Sequence, residues 1–478
     1  MLEKRFGKIK DFNDYLKDWG GTSNKMIYGF RGVEYQYICD SFPDRDNFDH
    51  SVFNVMYFDI ETERSEEYGY APSSNPFNPV ILITAYLPKG DRSIVWELRD
   101  HPTDNQDKTE YRVFDDDISM IKDFFKFMKS NSIDIISGWN TDFYDIPYLC
   151  GRLLGQYHFP GQQKPDGMDS EYRVWTDKTS YSPFGYIKKK TIIGNYGKSQ
   201  VIYEIPGIES LDYMNLYKKF TYVTRESYSL NHISYCELGE KKVDYSEHKH
   251  LQSLYEKDYK KFVEYGIKDT KLVYRLEEKL KLIDLCIALA YMVGCNLNDV
   301  FSAVKTWEIY LYNELKRDGI IAPIKGRGVH KEKEFLGAFV QDPVKGKHDW
   351  VLSFDLNSLY PHIMMFANMS PDTYIDPTTM SSEQRRLYDK KKENLAESIT
   401  NIVNFEEDLS LLKKYDVAMT PNGAMFQRNS QGVLPKVMKN LYAKRAETKK
   451  RMLKKKQELE DVKAIDKRIG EIKALLNS

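Results

Sequence analysis

Val55-Met56-Tyr57-Phe58-Asp59-Ile60-Glu61 is the stretch on which the fold turns. Its apolar run predicts a buried β-strand over 55–60 that ends in two acids. A strand repeats its side-chain direction every two residues, so Asp59 and Glu61 project from one face. Two carboxylates side by side at a buried strand end repel each other unless a cation lies between them. Alone, an Asp-x-Glu tripeptide is weak evidence and reads more readily as a strand running out into a charged loop. Its meaning depends on which acids the rest of the chain can bring to it.

The surrounding sequence has an α/β texture. Further strands are predicted at Val80–Thr84, Ser93–Glu97 and Ile133–Ser137, with an amphipathic helix at Ile118–Lys129. Such alternation favours a sheet flanked by helices. A short helical pattern precedes it at Phe12–Trp19. Lys188–Ile205 reads as a hairpin turned by Gly194-Asn195-Tyr196-Gly197. Residues 257–318 carry apolar positions at helical spacing, Gly319–Gly328 reads as loop and strand, and Trp350–Phe354 reads as a buried strand. From Pro435 the chain becomes one long basic helix, with ten Lys or Arg against the single acid Glu447 in Lys436–Lys456.

A length of 478 residues is too great for one core and suggests about three domains. No stretch approaches the ~20 consecutive apolar residues of a membrane span, so no membrane association is expected. The N-terminus lacks the apolar core of a signal peptide. Five scattered cysteines (Cys39, Cys150, Cys236, Cys286, Cys295) form no Cys-x-x-Cys pair, which argues for reduced thiols and a cytoplasmic setting and against structural zinc. The net charge of −1 means that any nucleic-acid contact must come from local basic surfaces.

Two later segments carry acids that could join Asp59 and Glu61. Gly138-Trp139-Asn140-Thr141-Asp142-Phe143-Tyr144-Asp145-Ile146-Pro147 follows a strand and opens a helix, a junction that faces the end of a sheet. Tyr265 and Asp269, four apart in helical sequence, share a face. Singly, Asp145 reads as a helix cap and Asp269 as a solvated helix residue. The ordered set of Asp-x-Glu, Asn-x3-Tyr-Asp and Tyr-x3-Asp is far more specific. Four carboxylates suit hard divalent cations, which prefer oxygen ligands. A pair of such ions ~3.5–4 Å apart serves in-line phosphoryl displacement.

These three segments are similar to the exonuclease motifs of family B DNA polymerases, in particular those of T-even-type phages. Leu211-Asp212-Tyr213, Leu216–Phe220, Tyr228-Ser229-Leu230 and Lys305-Thr306-Trp307 extend the resemblance along most of the chain. It implies Asp59, Glu61, Asp145 and Asp269 as ligands of two Mg²⁺ ions, Tyr265 as their hydroxyl partner, and Lys242 as a supporting cation. Tyr144 stands where Phe is usual. The hairpin at about 190–206 is expected to help part template from primer.

Ser353-Phe354-Asp355-Leu356-Asn357-Ser358-Leu359-Tyr360-Pro361 resembles the first polymerase motif. The resemblance implies Asp355 as a metal ligand and the backbone at Leu356, Ser358 and Leu359 as triphosphate contacts. Tyr360 would lie beneath the deoxyribose and exclude a 2′-hydroxyl. His362 replaces the usual Ser. Gly432-Val433-Leu434-Pro435 resembles the entry to the fingers, and the following helix carries Arg445 and Lys449, four apart, as a pair to grip the triphosphate.

The fold class expected is therefore α/β multidomain: a ribonuclease H-like 3′-5′ exonuclease domain, then a partial family B palm and the first fingers helix. The divisions expected are an abbreviated N-terminal domain (1–50), the exonuclease domain (51–281), a helical segment completing the N-terminal domain (282–326), a partial palm (327–433) and the fingers helix (434–478). A second Lys-bearing motif and an Asp-Thr-Asp turn, which complete a polymerase site of this family, are not found. The chain alone is then not expected to polymerise, and polymerase-site metals would bind only with a partner. The expected partners are primer-template and single-stranded DNA, a deoxynucleoside triphosphate, a separately encoded C-terminal polymerase part and, through it, a sliding clamp. A natural split, an interrupted gene product and an incomplete reading frame all accommodate this. So do the alternatives of a free-standing single-strand exonuclease with a relict palm, or a non-catalytic DNA-binding subunit.

Overall fold

The computed structural model describes residues 32–43, 49–101, 108–164, 172–175, 181–193, 199–248, 250–321, 341–356, 358–393 and 406–476, besides isolated positions before residue 16. Most of the helix expected at Phe12–Trp19, the turn at Gly194–Gly197 and residue Asn357 fall outside them. The chain divides into two compact units, Arg31–Tyr310 and a second made of Met1–Phe30 with Leu311–Ser478.

The larger unit begins with α1 (Val33–Ser41), β1 (Val55–Thr62), β2 (Val80–Leu87), β3 (Arg92–Glu97), β4 (Thr109–Val113), α2 (Asp117–Ser130), β5 (Ile135–Ser137) and α3 (Asp145–Leu153). It continues with β6 (Tyr172–Trp175), β7 (Tyr186–Ile193), β8 (Ser199–Glu204), β9 (Glu209–Ser210), α4 (Tyr213–Phe220), α5 (Leu230–Leu238), α6 (Leu251–Lys257), α7 (Tyr259–Leu280) and α8 (Leu282–Val293); α9 (Ala303–Arg317) follows. Six strands form one sheet in the order β4-β3-β2-β1-β5-β9. β1, β2 and β3 are an antiparallel meander, and β5 and β9 add in parallel beside β1. This sheet, flanked by helices, agrees with the ribonuclease H-like exonuclease fold that the resemblance implies.

Helices cover both faces, which is why β2 is buried along its whole length. On one face Met56, Phe58 and Ile60 pack with Phe124 and Phe125 of α2 and Ile146 and Leu149 of α3. On the other, Leu82 and Val95 meet Leu254 of α6 and Phe262 and Val263 of α7. Tyr57 alternates out of the first layer and meets Tyr274 of α7 edge-on. Asp59 and Glu61 are in phase with Tyr57, so the same alternation turns them toward α7.

The strands run past their expected ends, β1 to Thr62 and β2 to Leu87, because each keeps a ladder partner there. The edge strand β4 escaped prediction because its residues Thr109-Glu110-Tyr111-Arg112-Val113 are charged and only half-buried. The hairpin β7–β8 forms as predicted and gains β6 as a third strand.

The second unit is mainly helical. Its elements are α10 (Leu359–Phe366), α11 (Ser382–Glu393), α12 (Glu406–Tyr415), the hairpin strands β10 (Val417–Met419) and β11 (Met425–Gln427), and the long helix α13 (Val433–Leu476). Leu387, Val417 and Met425 form a small core under that hairpin. Asn368 ties it to α13: its amide donates to Gln427 O (2.6 Å) and Ser430 O (2.8 Å), and its carbonyl oxygen accepts from Gly432 N (2.9 Å). The buried strand expected at Trp350–Phe354 is not present. The segment pairs with no strand among the described residues, and Trp350 is 98% and Phe354 89% exposed. A strand pattern becomes a strand only when a partner completes its ladder. No helix among the described residues is long and apolar enough to cross a membrane.

How closely α7 approaches the sheet is set by Gly266. A Cβ there would lie 2.9 Å from both Leu82 Cδ2 and Thr84 Cγ2. Thr84 Oγ1 meanwhile donates to Gly266 O (3.1 Å) and is 2.7 Å from Thr270 Oγ1. Gly266→Ala should therefore destabilise the larger unit by about 1–3 kcal/mol, the usual range for overpacking. Denaturant unfolding measures this, and wild-type stability would contradict the close approach.

Candidate active site

Three elements converge at the end of β1. Asp59 and Glu61 come from β1 and Asp269 from α7, and one carboxylate oxygen of each lies within 4.8 Å of the others. Asp145 opens α3, is buried, and accepts from Ile60 N–H at 3.1 Å. Because Ile60 lies between Asp59 and Glu61, this bond anchors the fourth acid to the same strand end. The alternation of β1 turns Asp59 and Glu61 to one face and the i,i+4 spacing puts Asp269 on the face of Tyr265, but it is the packing of α7 on β1 that brings the three together.

Lys242 enters from the segment between α5 and α6. Its Nζ donates to Asp269 Oδ2 at 2.5 Å and to the Tyr265 hydroxyl at 3.0 Å. Its backbone N–H is held by Asn231 Oδ1 at 3.0 Å. The adjacent Lys241 lies instead over the ring of Tyr235. Tyr265 is buried and stands edge-on to Tyr245, and the same Lys242 ammonium lies 5.1 Å from its ring centre.

The electrostatics are those of crowded acids. Burial, then Asp269, pushes the Asp59 carboxyl up to about 7. Burial and the charges of Asp59 and Asp269 raise Glu61 well above its ordinary value, and burial with Asp59 does the same to Asp145. Burial raises Asp269 too, against the pull of Lys242. Burial disfavours the Lys242 ammonium, but Asp269 and Asp59 outweigh it and raise its pKa. The Tyr265 phenol is raised by burial and then by Asp269, so it keeps its proton.

These residues fit a divalent cation. Every donor is a carboxylate oxygen, as hard cations require, and Asp269 Oδ1 is buried without a hydrogen-bond partner among the described residues. A positive ion would relieve the repulsion that burial imposes on the four acids.

The loop before Asp145 brings two acids that sequence reasoning did not single out as functional. Asp212, buried at the start of α4, accepts from the backbone N–H groups of Asn140 (3.1 Å) and Asp142 (3.3 Å). Asp142 in turn accepts from the Ser210 hydroxyl at 2.6 Å. An acid just before a helix was a legible capping signal; its second set of partners, some seventy residues upstream, was not.

In the second unit the predicted polymerase-site residues are exposed, except Ser358, which is half-buried. Asp355 and Leu356 lie in the unpaired segment. Ser358 has a left-handed backbone (φ +57°) and precedes α10, whose first turn holds Leu359 and Tyr360. Arg445 Nη1 of α13 is 3.4 Å from Ser358 Oγ, so Arg445 does reach this motif. Lys449 is one turn further along the same helix and exposed. His362, where Ser was expected, meets the Tyr442 ring edge-on at 5.1 Å and ties α10 to α13.

Residues 36–233 match the family model for the exonuclease domain of DNA polymerase family B, and residues 302–478 match the model for DNA polymerase family B. The chain belongs to DNA polymerase family B. It is 27% identical to the DNA-directed DNA polymerase of Escherichia phage RB69 over 94% of this chain and 48% of that one. It is 25% identical to that of Enterobacteria phage T4 over 97% of this chain and 49% of that one. The DNA polymerase delta catalytic subunit of Schizosaccharomyces pombe is 26% identical over 83% of this chain and 33% of its own length. The chain thus spans about half the length of the phage relatives it matches.

The raised acids make a linked prediction. A carboxyl whose folded pKa exceeds its unfolded value binds its proton more tightly in the fold. Its contribution is therefore favourable at low pH and is lost as pH rises through the folded pKa. Metal-free wild type should melt lower at pH 8 than Asp59→Asn, by about 3 °C or more; the gap should narrow as pH falls through the Asp59 value of about 7 and close only at pH ~4, the ordinary carboxylate value. Added Mg²⁺ should raise the wild-type melting temperature at pH 8. Melting curves that coincide at both pH values, with no response to Mg²⁺, would contradict the crowding.

Proposed function

We propose that this chain is the N-terminal part, or a subunit, of a phage replicative DNA-directed DNA polymerase. In this reading it carries a 3′→5′ proofreading exonuclease and half of a polymerase site, and acts in the cytoplasm of an infected cell. The observation that carries the reading is the convergence of Asp59, Glu61 and Asp269, joined by Asp145 on Ile60, with Lys242 and Tyr265 at Asp269. The domain boundaries at 50, 281, 326 and 433 belong to the same proposal.

The substrate is the 3′ end of a DNA strand, and the reaction is hydrolysis of its last phosphodiester. Two Mg²⁺ ions held by Asp59, Glu61, Asp145 and Asp269 would activate water and stabilise the leaving oxygen. Lys242 favours the ionised form of Asp269 against the effect of burial and ties it to the segment that follows α5. Tyr265 accepts from Lys242 and retains its own proton, which it offers to the water or to a phosphate oxygen of the bound strand. Asp145 is buried, and one of its carboxylate oxygens is held to the β1 backbone at Ile60. Strand recognition through backbone charge and base stacking makes sequence preference unnecessary.

In the second unit, Asp355, Leu356, Ser358, Leu359, Tyr360, Arg445 and Lys449 are proposed to take up a metal-bound deoxynucleoside triphosphate on primer-template DNA. The exposure of all of them but Ser358, and that of Trp350, Val351, Leu352 and Phe354 beside them, supports completion by a separately encoded C-terminal part. A sliding clamp would be reached through that part.

Labelled single-stranded DNA incubated with Mg²⁺ should be shortened from its 3′ end, and Asp145→Ala or Asp269→Ala should slow this by about a thousandfold or more, as loss of metal-ion catalysis requires. Degradation untouched by either change would remove the nuclease assignment. Mixing the chain with the product of a reading frame that encodes the missing Asp-Thr-Asp motif should yield primer extension that neither gives alone; no association between the two would sink the split-polymerase reading.

A further inference from the structure

We infer that Asp212 is a positioning residue of the nuclease site, holding the loop 138–144 that presents Asp145. The inference rests on the nuclease reading given above.

Asp212 caps α4 through Oδ1, which accepts from Met214 N (2.9 Å) and Asn215 N (3.3 Å). A helix cap ordinarily serves the donors of its own helix. Here the same carboxylate also takes two donors from another segment, with Oδ1 on Asn140 N (3.1 Å) and Oδ2 on Asp142 N (3.3 Å). Asp212 is fully buried, so it offers these N–H groups a partner that water does not replace.

The loop needs such a fastening. Asn140 has φ +67°, a left-handed backbone that costs a residue with a Cβ. Gly138 rides so close on β1 that a Cβ would stand 2.5 Å from Phe58 O. Around Asp212 the fastening is extended by Tyr213 N to Gly138 O (2.9 Å), by Ser137 Oγ to Leu211 O (2.6 Å) and by Ser210 Oγ to Asp142 (2.6 Å). All of these lie where β5 and β9 end side by side, and the loop leads from there straight into Asp145. Asp212 itself touches none of Asp59, Glu61 or Asp269 in any hydrogen bond of the described residues. It acts on the site only through the loop.

Asp212→Ala leaves two loop N–H groups unpaired and frees Asp145 to shift against Asp59 and Glu61. A misplacement of about an ångström lowers turnover by roughly ten- to a hundredfold. The test is steady-state hydrolysis of a labelled single strand across a Mg²⁺ series. Asp212→Ala should lower kcat by that factor, leave KM for DNA within about twofold, and raise the Mg²⁺ concentration at half-maximal rate, because one metal ligand is mispositioned. Asp212→Asn keeps one acceptor oxygen but sets an amide against a donor; it should lower kcat by about threefold, less than one full hydrogen bond is worth, with the Mg²⁺ midpoint raised in the same direction. If Asp212→Ala does not fold, Asp212→Asn carries the test alone. A folded Asp212 variant with wild-type kcat and Mg²⁺ midpoint, whatever its melting temperature, would overturn the inference and leave Asp212 a helix cap. Asp145→Ala separates the two levels. If it abolishes wild-type activity while Asp212→Ala does not lower it, only the positioning role fails; if it changes nothing, the nuclease reading fails first.

Discussion

Carboxylates that share a recess repel one another, and the larger unit is arranged to keep four of them together despite that repulsion. β1 supplies Asp59 and Glu61, α7 supplies Asp269, and a backbone N–H of β1 holds Asp145. The raised proton affinity of these acids is the physical signature of the arrangement. One cation, Lys242, is set against Asp269, and it cannot neutralise the whole group. The remaining charge has to be met by protons or by metal ions, and the phosphoryl chemistry proposed here depends on the second.

The packing around the recess serves its geometry. Gly266 lets α7 lie close on β2, and Thr84 and Thr270 bond where the two meet. Gly138 lets the loop before Asp145 lie close on β1. The acids therefore sit on a rigid sheet and helices instead of mobile segments, which is what a site that positions metal ions needs.

The face that each acid occupies was legible in the sequence from short-range periodicity, whereas their convergence was legible only through the resemblance of the three segments to exonuclease motifs. A period of two placed Asp59 and Glu61 on one face, and an interval of four placed Tyr265 and Asp269 on another. What was not legible depends on distant partners. Asp212 reads locally as a cap, and its hold on Asn140 and Asp142 is apparent only once β5 and β9 lie side by side. The edge strand β4 has too many charges for its pattern to stand out. Trp350–Phe354 shows the opposite case: the pattern is that of a strand, yet nothing among the described residues pairs with it. Its apolar side chains are exposed, beside the exposed Asp355 and Tyr360.

The most direct measurement is diffraction from crystals soaked in Mn²⁺, with anomalous maps that locate the ions. Two peaks about 4 Å apart are predicted, bounded by Asp59, Glu61, Asp145 and Asp269, with Lys242 still on Asp269. A map that shows Mn²⁺ elsewhere on the protein but no peak among these four carboxylates would contradict the account.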